Sequence, residues 1–152
     1  RFFVGTNSGL GVVPLSFGVP TIQTNMLPVP FFSTLKDDLF IHRIFYRKKD
    51  DAPLSIREMF DPPYVNNHNA LSWKKLGVGA RPNTPGEIAD TVEEMFQRLE
   101  GASPYTEEDD ALAERYFQAS TCRGRNPHGR PGRLFLRNNK HLFKSPGRGV
   151  KE

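Results

Sequence analysis

The chain has 152 residues with 37% hydrophobic and 25% charged side chains, which is enough to bury a hydrophobic core. No apolar run approaches the ~20 residues that span a bilayer, and no signal-peptide pattern is present. A single cysteine, Cys122, excludes a disulfide within the chain and favours a reducing compartment.

The net charge of +4 comes from the end of the chain. Residues 1–120 carry 12 basic and 16 acidic side chains, whereas residues 121–152 carry nine basic and one acidic. We therefore divide the chain into a lobe over 1–120 and a basic, partly flexible C-terminal extension over 121–152. The extension indicates either a solubilising terminus or a contact surface for nucleic acid, anionic lipid or a phosphorylated substrate. Its apolar segments 134–136 and 142–143 predict that part of it packs onto the lobe.

Residues 2–25 are the most informative segment of the chain. The runs 2–4 and 21–24 are apolar or β-branched and are bounded by Gly, Pro and Asn, which predicts buried strands. Residues 10–17 predict a short helix that ends at Gly18. A strand, a helix and a strand in so short a stretch predict a right-handed βαβ unit. Because the chain starts inside the first strand without Met, we expect it to be the C-terminal piece of a longer protein.

The middle of the chain predicts short, irregular elements. Residues 39–46 predict a further short strand or an extended segment. Ser55 and Glu58 match the S-x-x-E capping box, which predicts one or two helical turns. A loop rich in Pro and Asn follows over 61–69, and 77–80 is a strand candidate.

Two longer helices are predicted after this region. Thr84, Pro85 and Glu87 form the strongest helix start in the chain, and Gly101 ends that helix. A second helix begins at Thr106. The first helix has an apolar stripe formed by Ile88, Val92, Met95, Phe96 and Leu99. The order of elements predicts the α/β class, with a Rossmann-like parallel sheet of which this chain supplies part, followed by C-terminal helices.

The turn after the first predicted strand is a candidate phosphate site. Gly9 lets the backbone approach an anion closely, Thr6 and Ser8 offer hydroxyl groups, and the helix that follows points its N-terminus at the same place. Asn7 is their neighbour in the turn. The alternative is that these residues only cap the helix.

Two further residues are candidates for ligand contact. Asn25, at the end of the second strand, either reaches a ligand in the same cleft or begins the Pro-rich turn that follows it. Arg43 and His42 interrupt an apolar run, where a cation would neutralise a leaving diphosphate. The favoured alternative for this pair is a solvent-facing edge strand.

Other chemistry-bearing residues are scattered. Single histidines and Cys122 have no partner at metal-ligand spacing, so the sequence predicts no metal. The adjacent aspartates at 37–38 and 50–51 diverge on a strand or loop and do not form an acid/base pair. The sequence identifies no catalytic residue.

Three short patterns carry a resemblance to a known family. The turn Thr6-Asn7-Ser8-Gly9, the stretch 17–20 (Phe-Gly-Val-Pro) with the Thr-Asn that follows, and residues 83–88 (Asn-Thr-Pro-Gly-Glu-Ile) resemble the C-terminal lobe of GT-B-fold glycosyltransferases and of UDP-N-acetylglucosamine 2-epimerases. The pattern is most similar to bacterial glycosyltransferases associated with surface-polysaccharide synthesis. The resemblance covers about residues 1–100 and is specific over 5–25.

The resemblance implies a function in glycosyl transfer without a metal or other cofactor. In that fold a nucleotide-sugar donor lies between two Rossmann-like lobes, with its diphosphate against the turn that Ser8 and Gly9 match here. The acidic residue that holds the ribose in the family has no counterpart, because the helix over 10–15 contains no Asp or Glu. The implied partners are the donor, a glycan or lipid-linked acceptor and an N-terminal lobe of the same chain.

The implied location is the cytoplasm, with peripheral contact at the inner membrane face through the basic extension. Two alternatives remain at this point. One is a nucleotide-sugar epimerase with the same phosphate turn. The other is a non-catalytic module that captures an anionic polymer through the Arg-rich stretch 123–133.

Overall fold

The computed structural model describes residues 2–6, 8–28, 35–67, 69–120 and 129–144. In these ranges the strands are β1 (Phe3–Thr6), β2 (Thr21–Met26), β3 (Leu39–His42), β4 (Ile44–Arg47), β5 (Val78–Arg81) and β6 (Arg130–Pro131). The α-helices there are α1 (Val12–Ser16), α2 (Ile56–Met59), α3 (Ala70–Lys75), α4 (Pro85–Leu99), α5 (Glu107–Ala119) and α6 (Arg133–Asn138). Short 3-10 helices precede α1 and follow α6, at Gly9–Gly11 and Lys140–Phe143.

A parallel sheet forms the centre of the described chain, in the order β1-β2-β3-β6. β1 and β2 are parallel neighbours, with Phe3 opposite Thr21 and Thr6 opposite Thr24, so the predicted strand–helix–strand unit and the α/β class are confirmed. Gly18 follows α1 with a φ of 65°, a left-handed conformation that favours glycine after a helix. Among the described residues β1 pairs on one side only, so it forms one end of this sheet.

A second sheet is antiparallel and, among the described residues, is not hydrogen-bonded to the first. It consists of β4 and β5, with Ile44 opposite Arg81, and β5 confirms the strand candidate at 77–80. The sequence predicts one strand or an extended segment over 39–46, whereas the structure has β3 and β4, in different sheets. Arg43 lies at the break between them.

The predicted helix starts at Ser55, Thr84 and Thr106 are confirmed. Each of these side chains accepts a backbone N–H from the first turn of its helix. The carboxylate of the acidic residue three positions later accepts the backbone N–H of the cap residue, so each start has a capping box. The sequence does not predict α3. Its cap, Asn69, which accepts the N–H of Leu71, follows a stretch rich in Pro and Asn that favours a loop.

The core lies on both faces of the parallel sheet. On one face α4 places Met95 against Ile22 and Leu39. Phe40, the next residue along β3, points to the opposite face and packs with Tyr116 of α5 in the larger core cluster. Every residue of β3 is buried, as expected for a strand that has sheet neighbours and is covered on both faces.

Residues 129–144 belong to this same core. β6 pairs with β3, and α6 follows it directly. The side chains of Phe135, Leu136 and Leu142 are buried, which confirms that apolar parts of the extension pack onto the lobe.

The first helical segment leaves apolar side chains in solvent. Leu10 is 69% exposed and Phe17 is 80% exposed, and Val12 and Val13 are exposed beside them. The sequence from residue 2 to residue 35 contains no charged side chain, so this segment places no charge among its exposed apolar residues. None of the helices in the described part of the chain has both the length and the apolar character needed to cross a membrane.

Candidate functional site

The carboxyl ends of β1, β2 and β3 meet at one edge of the parallel sheet. A cavity of about 360 Å³ lies at this edge and is lined by Thr6, Asn25 and Arg43. Parallel strands bring their carboxyl ends together, and open α/β sheets bind ligands outside these ends. Three of the six predicted site residues, from three successive strand ends, therefore share one cavity.

The rest of the cavity lining is an apolar wall that comes largely from β4, β5 and α3. The Trp73 ring stacks against Phe45 with the ring centres 4.6 Å apart and against Tyr64 at 5.8 Å. The indole Nε1 donates a hydrogen bond to the carbonyl of Asn67 at 2.9 Å, so the orientation of the ring is fixed. Apolar walls with a few polar groups on one side are typical of small-molecule sites. This wall consists of Leu27, Phe45, Ala70, Trp73, Val78, Gly79 and Ala80.

Arg43 is the one charged residue among those that line the cavity. Its backbone N–H donates to the carbonyl of Met26 at 3.2 Å. Its guanidinium makes no hydrogen bond or ion pair with the described residues, and its Nε is buried. A buried donor without an acceptor costs about 1–3 kcal/mol, and native proteins leave few of them. The Nε atoms of Arg130 and Arg133 are also buried without a hydrogen bond in the described part of the chain, but other parts of those guanidinium groups are engaged by the fold. Arg43 has no such contact with the described residues and lies at the cavity, which favours a ligand that supplies the acceptor.

Asn25 lies at an irregular point of β2, where the register with β3 shifts between Gln23 and Met26. Its φ is 53°, in the left-handed region, which asparagine tolerates better than most residues. Its backbone N–H donates to Oδ1 of Asn83 at 2.6 Å, and its own Oδ1 accepts the backbone N–H of Asn83 at 2.8 Å. Because Asn25 lies within β2, the alternative that it begins the Pro-rich turn is wrong.

The predicted phosphate turn is only partly described. Asn7 lies outside the described residues, and Ser8 and Gly9 are exposed but do not line the cavity. Ser8 makes no side-chain cap to the helix that follows, so for Ser8 the alternative of a purely structural cap is wrong. A Cβ built on Gly9 would meet nothing within 4 Å, so packing within the described fold does not require glycine there. Contact of Ser8 and Gly9 with a phosphate stays a prediction.

The interpretation of His42 as part of a solvent-facing edge is wrong. Its side chain is 1% exposed, its ring lies among those of Phe40, Phe60 and Tyr116, and Nε2 is hydrogen-bonded to the Tyr116 hydroxyl. Burial lowers the pKa of His42 to about 4, so the imidazole is neutral at pH 7. β3 is not an edge because β6, from the C-terminal extension, pairs with it.

Two buried carboxylates serve the fold rather than the cavity. Asp38 accepts two backbone N–H groups, each at 2.7 Å, and burial raises its pKa. Glu94 accepts the Tyr105 hydroxyl and the backbone N–H of Arg133, each at 2.8 Å, and burial raises its pKa too. Neither lines the cavity, so neither is a candidate catalytic base.

Comparison of the chain with family models, curated proteins and solved structures found no match. The GT-B resemblance therefore stays a prediction that rests on the turn at residues 6–9 and the two patterns that accompany it.

Sequence reasoning missed two residues of the site. The sequence pattern gives Trp73 no role, although a lone tryptophan beside a predicted strand is a usable signal for an aromatic wall. Asn83 entered only as part of a helix-start pattern. Its partner Asn25 is 58 residues away, and nothing in the local sequence indicates such a pair.

Proposed function

We propose that this chain is the donor-binding part of a glycosyltransferase and that its cavity receives the anionic part of a nucleotide-activated sugar. One observation carries the proposal: Arg43, whose guanidinium makes no hydrogen bond or ion pair with the described residues, lines a cavity at the carboxyl edge of a parallel sheet. A diphosphate supplies the acceptor oxygens that this guanidinium lacks.

The chemistry of transfer gives the cation a role. When the sugar leaves, negative charge develops on the diphosphate, and the Arg43 guanidinium beside it stabilises that charge more than it stabilises the bound donor. We place the diphosphate between Arg43 and the turn at Ser8 and Gly9. The apolar wall at Trp73 then suits an uncharged face of the donor, such as its base.

The proposal extends to biological context through the resemblance alone. The acceptor is a glycan or a lipid-linked glycan in bacterial surface-polysaccharide or glycoconjugate synthesis, presented by an N-terminal lobe. A sugar-nucleotide epimerase shares the phosphate turn and is the alternative within the same fold.

The described part of the extension does not support the alternative of a module that binds an anionic polymer. Arg130 pairs with Asp110 at 2.8 Å, and its guanidinium lies 3.8 Å from the centre of the Tyr105 ring. Arg133 donates through Nη2 to Gln97 at 2.9 Å. These two arginines serve the fold, which leaves them poorly placed to capture a polymer.

The proposal is tested by calorimetric titration of the full-length protein with UDP and other nucleoside diphosphates. Arg43→Ala removes hydrogen bonds between charged groups, so we expect about a ten- to hundredfold loss of affinity, equivalent to about 1.5–3 kcal/mol. Arg81→Ala is the matched control: Arg81 is exposed, its guanidinium lies 5.1 Å from the Tyr46 ring centre, and it does not line the cavity.

Equal affinity for wild type and Arg43→Ala would remove Arg43 from the site. A wild-type protein that binds no nucleoside diphosphate would overturn the proposed function.

A further inference from the structure

Asn83 sits at a junction of three elements without lining the cavity itself. It is 7% exposed and immediately precedes Thr84, the cap of α4. Its side-chain Nδ2 donates to the carbonyl of His42 at 2.7 Å. Its Oδ1 and its backbone N–H engage Asn25. Asn83 thus ties the carboxyl ends of β2 and β3 to the start of α4.

The pairing with Asn83 fixes which end of the Asn25 amide is bound. A backbone N–H is a donor only, so its partner on Asn25 must be the carbonyl oxygen Oδ1. That oxygen is therefore engaged within the fold. The other end, Nδ2, makes no hydrogen bond with the described residues. Asn25 lines the cavity, so the group it has left for a ligand is an N–H donor.

The second polar group in the cavity has the same character. The Arg43 guanidinium carries donors and no acceptor. Arg43 directly follows His42, whose carbonyl accepts the Asn83 hydrogen bond, so the same short network positions the backbone at both residues. A ligand that satisfies both must present acceptor oxygens.

We infer that Asn83 is a positioning residue that locks Asn25 in its left-handed conformation and turns the Asn25 Nδ2 towards the acceptor oxygens of the bound anion. This inference rests on the proposed function for the identity of the anion. Beyond the proposed function, the affinity of the cavity for an anion then depends on Asn83, a residue that does not touch the ligand.

The test is a double-mutant cycle with Asn25→Gly and Asn83→Ala in the full-length protein. Glycine keeps the positive φ without strain and removes only the amide. Affinities for UDP and for inorganic pyrophosphate are measured by calorimetry, and melting temperatures are recorded alongside. We expect each single change to lower affinity about tenfold. The double change should be no weaker than Asn25→Gly alone, because Asn83 acts through Asn25.

Asn66→Gly is the matched control. Asn66 also has a left-handed φ, of 59°, but it is exposed and does not line the cavity. Its affinity for both probes should stay within about twofold of wild type.

A separate variant, Asn25→Asp, tests the donor directly. Aspartate keeps an oxygen for the Asn83 N–H but replaces the donor with a second acceptor, so pyrophosphate affinity should fall below that of Asn25→Gly. This variant retains the pairing and does not depend on whether Asn83→Ala folds.

Three results overturn the inference. The first is an Asn83→Ala that shifts melting temperature without changing affinity. The second is an equal loss of affinity from Asn83→Ala whether residue 25 is asparagine or glycine. The third is an Asn25→Asp variant that binds pyrophosphate as tightly as wild type. If wild type binds neither probe, the proposed function fails first and the inference falls with it. Binding by wild type combined with any of the three results sinks the inference alone.

Discussion

Arg43 and Arg133 are both partly buried arginines, yet the fold treats them in opposite ways. Arg133 donates through Nη1 to the carbonyl of Pro104 and through Nη2 to Gln97, and its backbone N–H meets Glu94. The Arg43 guanidinium has no such partner among the described residues. The Nε of Arg133 is buried without a hydrogen bond, as is that of Arg43, but the two Nη atoms of Arg133 are engaged by the fold, whereas no atom of the Arg43 guanidinium is engaged by the described residues. Polar groups of the first kind hold the structure together, and those of the second kind are available to a ligand.

The largest expected effect breaks the network of the helical region. Glu94→Ala leaves the Tyr105 hydroxyl and the Arg133 N–H without their acceptor in a buried place, so the free energy of unfolding should fall by about 3–5 kcal/mol. Arg43→Ala should cost no more than about 1 kcal/mol, because it removes no partnered group. Urea titration of both variants measures the contrast. If the two losses were equal, the distinction between the regions would fail.

A pH titration sharpens the comparison at His42, which lies beside Arg43 but is enclosed by aromatic rings. Its pKa in the folded protein is about 4, below the ordinary value of 6.5, so between these values the unfolded chain binds more protons. The contribution of His42 to the free energy of unfolding is fully present above pH 6.5. It is lost as the pH falls through 4, by about 3 kcal/mol in total.

The His42→Gln variant provides the reference for that titration, since its amide can still pair with the Tyr116 hydroxyl. The difference in unfolding free energy between wild type and variant isolates the imidazole from the carboxyl groups, which titrate in both. A difference that does not change between pH 7 and pH 4 would contradict a buried neutral histidine.

The smallest expected effect is on stability, in a comparison of two hydroxyl residues that precede helices, Thr84 and Ser8. Thr84 accepts the N–H of Glu87 and belongs to a capping box, so Thr84→Ala should lower stability by about 1 kcal/mol. Ser8 makes no such bond, so Ser8→Ala should leave the melting temperature unchanged while lowering UDP affinity about tenfold. A drop in melting temperature for Ser8→Ala without a change in affinity would assign Ser8 to the fold and not to the site.

Features that depend on near neighbours could be predicted from the sequence. Thr84 and Glu87 are three residues apart, so their capping box is visible in the sequence, and the same holds for the strand–turn–helix segment that ends at Gly18. Arg43, a candidate for ligand contact because it interrupts an apolar run, lines the cavity, and its contact with a diphosphate stays a prediction.

Features that depend on distant partners could not be predicted. The solvent-facing edge favoured for His42 is wrong because β3 has a sheet neighbour, β6, that comes from the far end of the chain. The Asn25–Asn83 pair joins residues 58 positions apart, and neither has a local pattern that indicates the other. In both cases the contact depends on tertiary packing, which no local spacing encodes.

Trp73 has a practical consequence for ligand experiments on this chain. It is the only tryptophan in the 152-residue sequence, and it forms part of the cavity wall. All indole fluorescence from the chain therefore originates at the place where we expect the ligand to bind. Excitation near the red edge of the indole band selects Trp73 over the tyrosines and would report occupancy of the cavity without a label.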